Sequence, residues 1–162
     1  LREMDMHRTV RLIVSGGIRS GADVTKALAL GADAVSIGTA ALIALNCNAP
    51  KFIKDYQEIG TVPGYCHHCH TGKCPVGIAT QDPKLEARLE VEGASKRVEN
   101  YLSTLVLETQ TLARACGKSH VLNLEPEDLA ALTVEAAAMS GVALAGTNWI
   151  PGKTKTGDKN EY

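Results

Sequence analysis

Three cysteines fall within nine residues in Cys66-His67-His68-Cys69-His70-Thr71-Gly72-Lys73-Cys74, and the last runs directly into Pro75-Val76-Gly77. A fourth, Cys47, lies upstream. Around them, residues 46–83 carry Asn, Gly, Pro, His and Cys with no sustained apolar period. A loop of that length in a compact domain is functional or is held by something other than a core-facing stripe. Ligation through the thiols is the obvious tie. The fifth cysteine makes the count odd, and the first residues, Leu1-Arg2-Glu3-Met4-Asp5, are charged and lack the apolar segment of a secretion signal. Clustered thiols in such a chain read as metal-binding rather than as disulfides.

Short Cys spacings ending in Cys-Pro are those of iron–sulfur loops. Cys47, Cys66, Cys69 and Cys74 are the candidate ligands. The competing reading is a zinc knuckle, because Cys66-x2-Cys69 with His67, His68 and His70 nearby supplies a tetrahedral set. In the iron–sulfur reading these histidines donate to the ligands or scaffold the loop. Cys116 stands far along the chain at a helix end and reads as a buried apolar thiol.

The segment before the loop alternates strand and helix. Val10–Val14 is a β-branched run closed by Ser15-Gly16-Gly17, a buried parallel strand with its exit turn. Residues 20–30 show helical spacing at Val24, Ala27, Leu28 and Leu30, with Ser20 as N-cap and Gly31 as stop. Ala34–Ile37 is a second buried strand, and Thr39–Leu45 a short helix. Each strand thus turns into a helix through glycine, at Ser15-Gly16-Gly17-Ile18-Arg19 and at Ile37-Gly38-Thr39. Glycine lets a backbone approach a phosphate, the N–H groups at a helix start bind its oxygens, and Arg19 adds a charged fork. Two such turns on consecutive strands, with an arginine beside the first, exceed what tight turns alone require. In eight-stranded α/β barrels the loops after strands 7 and 8 commonly bind phosphate this way.

Beyond the loop, Val98, Leu102, Leu105, Val106, Leu112 and Ala113 form one stripe of a helix over 94–116, ended by Gly117. A second helix is predicted to start after Asn123 and run through Leu129, Leu132, Val134 and Ala136–Met139 to Gly141, with Pro126 in its first turn. Asn123-Leu124-Glu125-Pro126-Glu127-Asp128 reads as its cap and acidic first turn. Trp149 is expected to anchor packing, and Lys118 and His120 to lie in an exposed loop. The organisation is therefore 1–46, two β/α units; 47–83, the cysteine loop; 84–150, a helical extension; and 151–162, a polar, Lys-rich disordered tail. Two strands do not close a sheet, and the first residue is not methionine, so the chain is expected to be completed by an upstream segment or a partner chain.

Several stretches resemble a known family. VSGGIRSGADVTKALALGADAVSIGTA is similar to the strand 7 to strand 8 segment of FMN-dependent α/β barrels. GTAALIALNC followed by CHTGKCPVGIATQDP resembles the synthase domain of glutamate synthase, and ARACGKSHVLNLEPEDLAALTVEAAAMSGVALAGTNWIPG resembles the smaller glutamate synthase-like proteins, including the flavin subunit of N-methylglutamate synthase. The fold this implies is α/β: strands 7–8 of a (β/α)8 barrel, then an iron–sulfur loop and a helical extension. By the resemblance Ser15, Gly16 and Gly17 approach the ribityl–phosphate part of FMN, Arg19 its phosphate, and Gly38 and Thr39 the phosphate through backbone N–H groups. Ser15 stands where the hydroxy-acid oxidases carry an acid, which weakens a ribityl contact there.

The family pattern of cluster cysteines falls on Cys47, Cys69 and Cys74, but eighteen residues, 48–65, separate Cys47 from the additional Cys66. Either Cys66 takes the first position or all four ligate. Three thiolates suit a 3Fe–4S cluster and four a 4Fe–4S cluster. The implied activity is an oxidoreductase in which the cluster passes electrons to FMN for reductive formation of glutamate from 2-oxoglutarate and ammonia, or for amine exchange with methylamine. The family's substrate-binding residues lie on earlier strands, so no catalytic residue is assigned. The alternative is a non-catalytic zinc- or cluster-stabilised subunit docking on a partner barrel. Expected partners are the rest of the barrel, with room for electron-donor and amidotransferase-like subunits. A net charge of −1 and the lack of a membrane-length apolar run point away from nucleic acid and membrane and towards a cytoplasmic location.

Overall fold

The computed structural model describes residues 4–7 and 9–153. In chain order the elements are β1 (Ile13–Ser15), α1 (Gly21–Ala29), β2 (Ala34–Ser36), α2 (Thr39–Ala44), α3 (Ile53–Glu58), α4 (Pro83–Glu86), α5 (Val91–Ala115) and α6 (Val134–Ser140), with short 3-10 turns at Pro50–Phe52, Val121–Asn123 and Pro126–Asp128. The chain divides into two units, one built from the segments up to Ser15, Ser20–Val35 and Glu108 onward, the other from Gly16–Arg19 and Ser36–Leu107. Most of the tail expected at 151–162 lies outside the described residues.

In the first unit α1 forms where its spacing predicts. The Ser20 side chain accepts from the Asp23 N–H, and the Asp23 carboxylate accepts in return from the Ser20 N–H, a reciprocal capping box. Val24, Leu28 and Ala29 are buried. Leu30, read as part of the same stripe, is exposed because the helix has already ended and Leu30 is its C-cap. The Gly21 carbonyl accepts from the hydroxyls of Thr25 and Thr109, and the Gly21 N–H donates to the Glu108 carboxylate at 2.7 Å. Behind the strands, Asp33 receives the Leu12 N–H and the Arg11 guanidinium, both at 2.8 Å.

The strands differ from expectation in exposure. β1 and β2 pair in parallel as the βαβ pattern predicts, but they form a two-stranded sheet, and Ile13 is 66% exposed. Strands patterned for burial on both faces are left partly exposed because the sheet holds no further strand among the described residues.

The helix expected from Asn123 to Gly141 is broken. Glu125 and Asp128 close a capping box around a single 3-10 turn, and Leu129 then adopts extended backbone. Ala131 pairs with the segment at Leu144 in a parallel bridge, and Ala131, Ala137 and Val142 form a small core with Leu129 and Leu144. Helix resumes only at Val134, capped by Thr133 and ended by Gly141 at φ +67. The backbone pairing at Ala131 displaces a helix whose apolar residues also fit a bridge, and Leu132 and Met139 are left exposed. Lys118 is paired with Asp128 at 3.3 Å, and His120 caps the turn at Val121–Asn123. Trp149 is half-exposed and contributes its backbone carbonyl, which accepts from the Leu144 N–H. Cys116 is exposed, not buried.

In the second unit the predicted loop contains a helix. Pro50 opens a 3-10 turn that continues into α3, and Phe52 and Tyr56 lie one helical turn apart. Tyr56, Ala49 and Val76 are buried together, with Phe52, Cys66, Cys74 and Ile78 packed against them. The segment 46–83 thus has a core of its own. α5 starts at Val91, three residues before the predicted start, and of its expected stripe Leu105 and Ala113 are buried while Leu102 and Val106 remain substantially exposed.

Candidate functional site

All four cysteines named from spacing lie in the second unit, and Cys66 and Cys74 pack against its core. Burial raises the Cys47 thiol above its ordinary value, and coupling to Cys69, Cys74 and Cys66 raises it further. Each of these three thiols therefore lies within electrostatic reach of Cys47. Cys74 behaves oppositely. Burial alone would raise its thiol, but hydrogen bonds from the backbone N–H groups of Ala79, Val76, Ile78 and Gly77 outweigh it and lower the value. The Cys74 sulfur therefore faces a run of peptide donors that favours the anionic thiolate, the ligating form.

Gly77 makes that run possible. Its φ is +86, and a Cβ there would overlap the Leu85 carbonyl oxygen. The loop is further held by Thr80, whose hydroxyl donates to the Gly72 carbonyl, and by Thr71, whose N–H and hydroxyl both donate to the His68 carbonyl. His68 thus scaffolds the loop through its backbone, while His67 and His70 are exposed. Arg88 reaches in from beyond α4. One of its terminal nitrogens donates to the Asp55 carboxylate at 2.7 Å and to the Pro75 carbonyl at 2.9 Å, and its guanidinium lies over the Phe52 ring at 5.2 Å.

Tyr56 belongs to the core against which Cys66 and Cys74 pack. Its hydroxyl donates to the Cys47 carbonyl. The phenol is pushed up to about 12, first by burial and then by Cys47, Cys66 and Cys74. Among the described residues no three His, Cys, Asp or Glu side chains converge on a point that one metal ion would occupy. The sulfur-only donor set and the anion-stabilising peptide groups fit an iron–sulfur cluster held by thiolates.

The residues proposed for phosphate are all exposed: Ser15, Gly16, Gly17, Arg19, Gly38 and Thr39. Gly16 and Gly17 both lie at positive φ, +103 and +72, where other residues are strained, and a Cβ on either would meet nothing within 4 Å. The Arg19 carbonyl accepts from the Tyr101 hydroxyl at 3.1 Å, which fixes the turn from α5. The two helix starts differ. At α1 the protein itself supplies the acceptors, through Ser20 and Glu108. At α2 the N-cap is Gly38, with no side-chain cap, and its own Cβ position is open. The start of α2 thus has free peptide space beside an open glycine, where a phosphate would fit, whereas the start of α1 is occupied by the protein's own acceptors.

Spacing alone missed Tyr56, Arg88, Glu108 and Gly77 as parts of these sites. The signal for Tyr56 was present: Pro50 at a helix start with Phe52 and Tyr56 at i, i+4 is a helix signature inside a segment otherwise read as loop. Arg88 and Glu108 carried none, because their partners lie 33 and 87 residues away.

A family model described as a conserved region in glutamate synthase matches residues 1–119, and the chain belongs to the glutamate synthase family. It is 61% identical over 153 residues to a glutamate synthase large subunit-like protein of Rhizobium meliloti, covering 94% of this chain and 35% of the relative. It is 39% identical over 150 residues to an archaeal-type glutamate synthase [NADPH] of Dehalococcoides mccartyi, covering 90% of this chain and 27% of the relative. A ferredoxin-dependent glutamate synthase of Cyanidium caldarium is 34% identical over 132 residues, 76% of this chain and 7% of the relative. The chain spans about a third or less of the length of these relatives. No solved structure matches it significantly. No helix among the described residues is long and apolar enough to cross a membrane.

Proposed function

We propose that this chain is the cofactor-holding part of a glutamate synthase-type iron–sulfur flavoenzyme. One observation carries the reading. Cys66 and Cys74 pack against one core with Tyr56, and the Tyr56 hydroxyl bonds the Cys47 carbonyl, so the segment that holds Cys69 is flanked by cysteines gathered on the same core. The open left-handed turn at Gly16-Gly17 and the uncapped start of α2 support a phosphate-bearing cofactor in the same chain.

In this reading Cys47, Cys66, Cys69 and Cys74 hold a 4Fe–4S cluster, or three of them a 3Fe–4S cluster. Gly16, Gly17, Arg19, Gly38 and Thr39 hold the FMN phosphate, and Ser15, at the end of β1, lies towards the ribityl chain. When bound, the cluster supplies one-electron transfer and the flavin supplies hydride transfer. The chain's own groups bind and orient: the peptide N–H groups of residues 76–79 stabilise thiolate charge, Gly17 and Gly38 leave room for phosphate oxygens, and Arg19 neutralises them. The net reaction is reductive formation of glutamate from 2-oxoglutarate and ammonia, or its amine-exchange variant with methylamine. The relatives' names specify NADPH or ferredoxin, and a donor of either kind would feed the cluster. The rest of the α/β barrel comes from an upstream segment or a separate chain, and the assembled protein works in the cytoplasm.

The test is iron, acid-labile sulfide and flavin analysis of the complete protein that contains this chain. Iron and acid-labile sulfide in the ratio of a 4Fe–4S or a 3Fe–4S cluster, together with FMN, are expected. A colourless, zinc-containing protein without flavin would overturn the reading.

A further inference from the structure

Tyr56 is the largest fully buried side chain among the described residues, 1% exposed. Its place between Ala49 and Val76 asks only for an aromatic ring, and a phenylalanine would fill it. A buried hydroxyl is costly unless it is bonded, so a tyrosine here stands or falls by its partner. That partner is the Cys47 backbone carbonyl. The same core has Cys66 and Cys74 packed against it. One side chain therefore touches the backbone of the outlying cysteine and centres the core against which two of the others pack. All of these residues belong to one unit.

Cys47 is the cysteine that needs such help. Eighteen residues, 48–65, separate it from Cys66, so bringing it into the group closes the longest loop in the site. Cys69 and Cys74 need no anchor of that kind, because a few residues of turn link them, pinned by Thr71 and Thr80.

We propose that Tyr56 is a positioning residue for the cluster, which fixes the Cys47 carbonyl from inside the core and so holds Cys47 in the thiolate group with Cys66 and Cys74. The inference rests on the iron–sulfur reading above and resolves what the spacing leaves open: Cys47 joins the set alongside Cys66. Tyr56 acts through Cys47 and through no contact with substrate.

The experiment compares Tyr56→Phe, Cys47→Ser and the double variant in the complete protein. Readouts are the circular-dichroism melt, iron and sulfide content, iron retention against a chelator, and the electron paramagnetic resonance spectrum of the cluster. Tyr56→Phe keeps the ring, so a cooperative melt is expected. Iron retention should fall about 10-fold or more, as for other groups that orient metal ligands, and the cluster spectrum should change. In the Cys47→Ser background the same substitution should add nothing, because the two act as one unit. Unchanged iron and spectrum in a folded Tyr56→Phe protein would overturn the inference, as would an equal further loss in the Cys47→Ser background or loss of the fold itself. Wild-type protein without iron and sulfide sinks the cluster reading and this inference together; wild type with iron and an unaffected Tyr56→Phe sinks this one alone.

Discussion

Arg88 donates to Asp55 at 2.7 Å across 33 residues of sequence, and the same nitrogen also reaches the Pro75 carbonyl. Asp55 is the neighbour of Tyr56 on α3, and Pro75 follows Cys74. One cation thus ties the helix of Tyr56 to the loop that carries the cysteines.

Arg88→Ala should destabilise the second unit by about 1–2 kcal/mol, the scale of a charge-assisted contact discounted because both side chains are about a third exposed. Arg88→Lys should recover only part of this, since an ammonium lacks the planar fork. Thermal melts and limited proteolysis across residues 60–80 would check it. Equal melting of all three proteins would show that the contact carries no stability.

Gly77 and Gly72 both have positive φ, +86 and +73, but only Gly77 has the Leu85 carbonyl where a Cβ would go. Gly72→Ala should cost about 1 kcal/mol of backbone strain. Gly77→Ala should cost roughly 1–3 kcal/mol more, because the Leu85 backbone must yield, and should also misalign the peptide donors on Cys74. Chemical denaturation paired with iron analysis separates the two effects; similar losses for both variants would contradict the crowding.

Cys69→Ser and Cys74→Ser should each remove the cluster and increase protease sensitivity across residues 60–80. For Cys47→Ser and Cys66→Ser, loss of iron in both indicates four thiolates, and loss in one identifies a third ligand. Full iron content in all four variants would rule out the thiol site.

Arg19→Ala should weaken FMN binding by about 1.5–3 kcal/mol, the value of a hydrogen bond to a charged group. Gly17→Val should be worse for FMN than for the fold. A β-branched residue at φ +72 is strained, yet its Cβ meets no protein atom, so the phosphate is what it obstructs. Flavin titration of the complete protein would check both, and equal affinity in all three proteins would reduce this segment to a turn.

The isolated chain should neither bind FMN tightly nor melt cooperatively. Its two strands leave Ile13 66% exposed, and Leu132 and Met139 are 86% and 89% exposed. Size-exclusion chromatography and circular dichroism decide this. A monodisperse, cooperatively melting, FMN-binding monomer would show that the chain is self-sufficient.

Local chemistry made much of this protein legible from its residues alone. Ser20 and Asp23 announce the start of α1, and Gly16-Gly17 the left-handed turn. Each depends on groups within a few residues of one another, where chain connectivity already sets the distance. Helix against bridge at residues 129–133 was not legible, because Leu129 and Ala131 are apolar in either pattern and the Leu144 segment settles the competition. Nor was the burial of β1 and β2, since a strand patterned for a covered sheet looks the same whether or not its neighbours are present.

The sequence by itself determined the candidate ligands, the glycine turns and the family. Only the tertiary structure decided that Cys66 and Cys74 pack on the core of Tyr56, that Glu108 accepts from the Gly21 N–H at the start of α1, and that Tyr56 and Arg88 brace the loop. The reason is physical: a side chain's type and local spacing declare which interaction it can make, whereas the partner it finds 33 or 87 residues away is set by how separate segments pack.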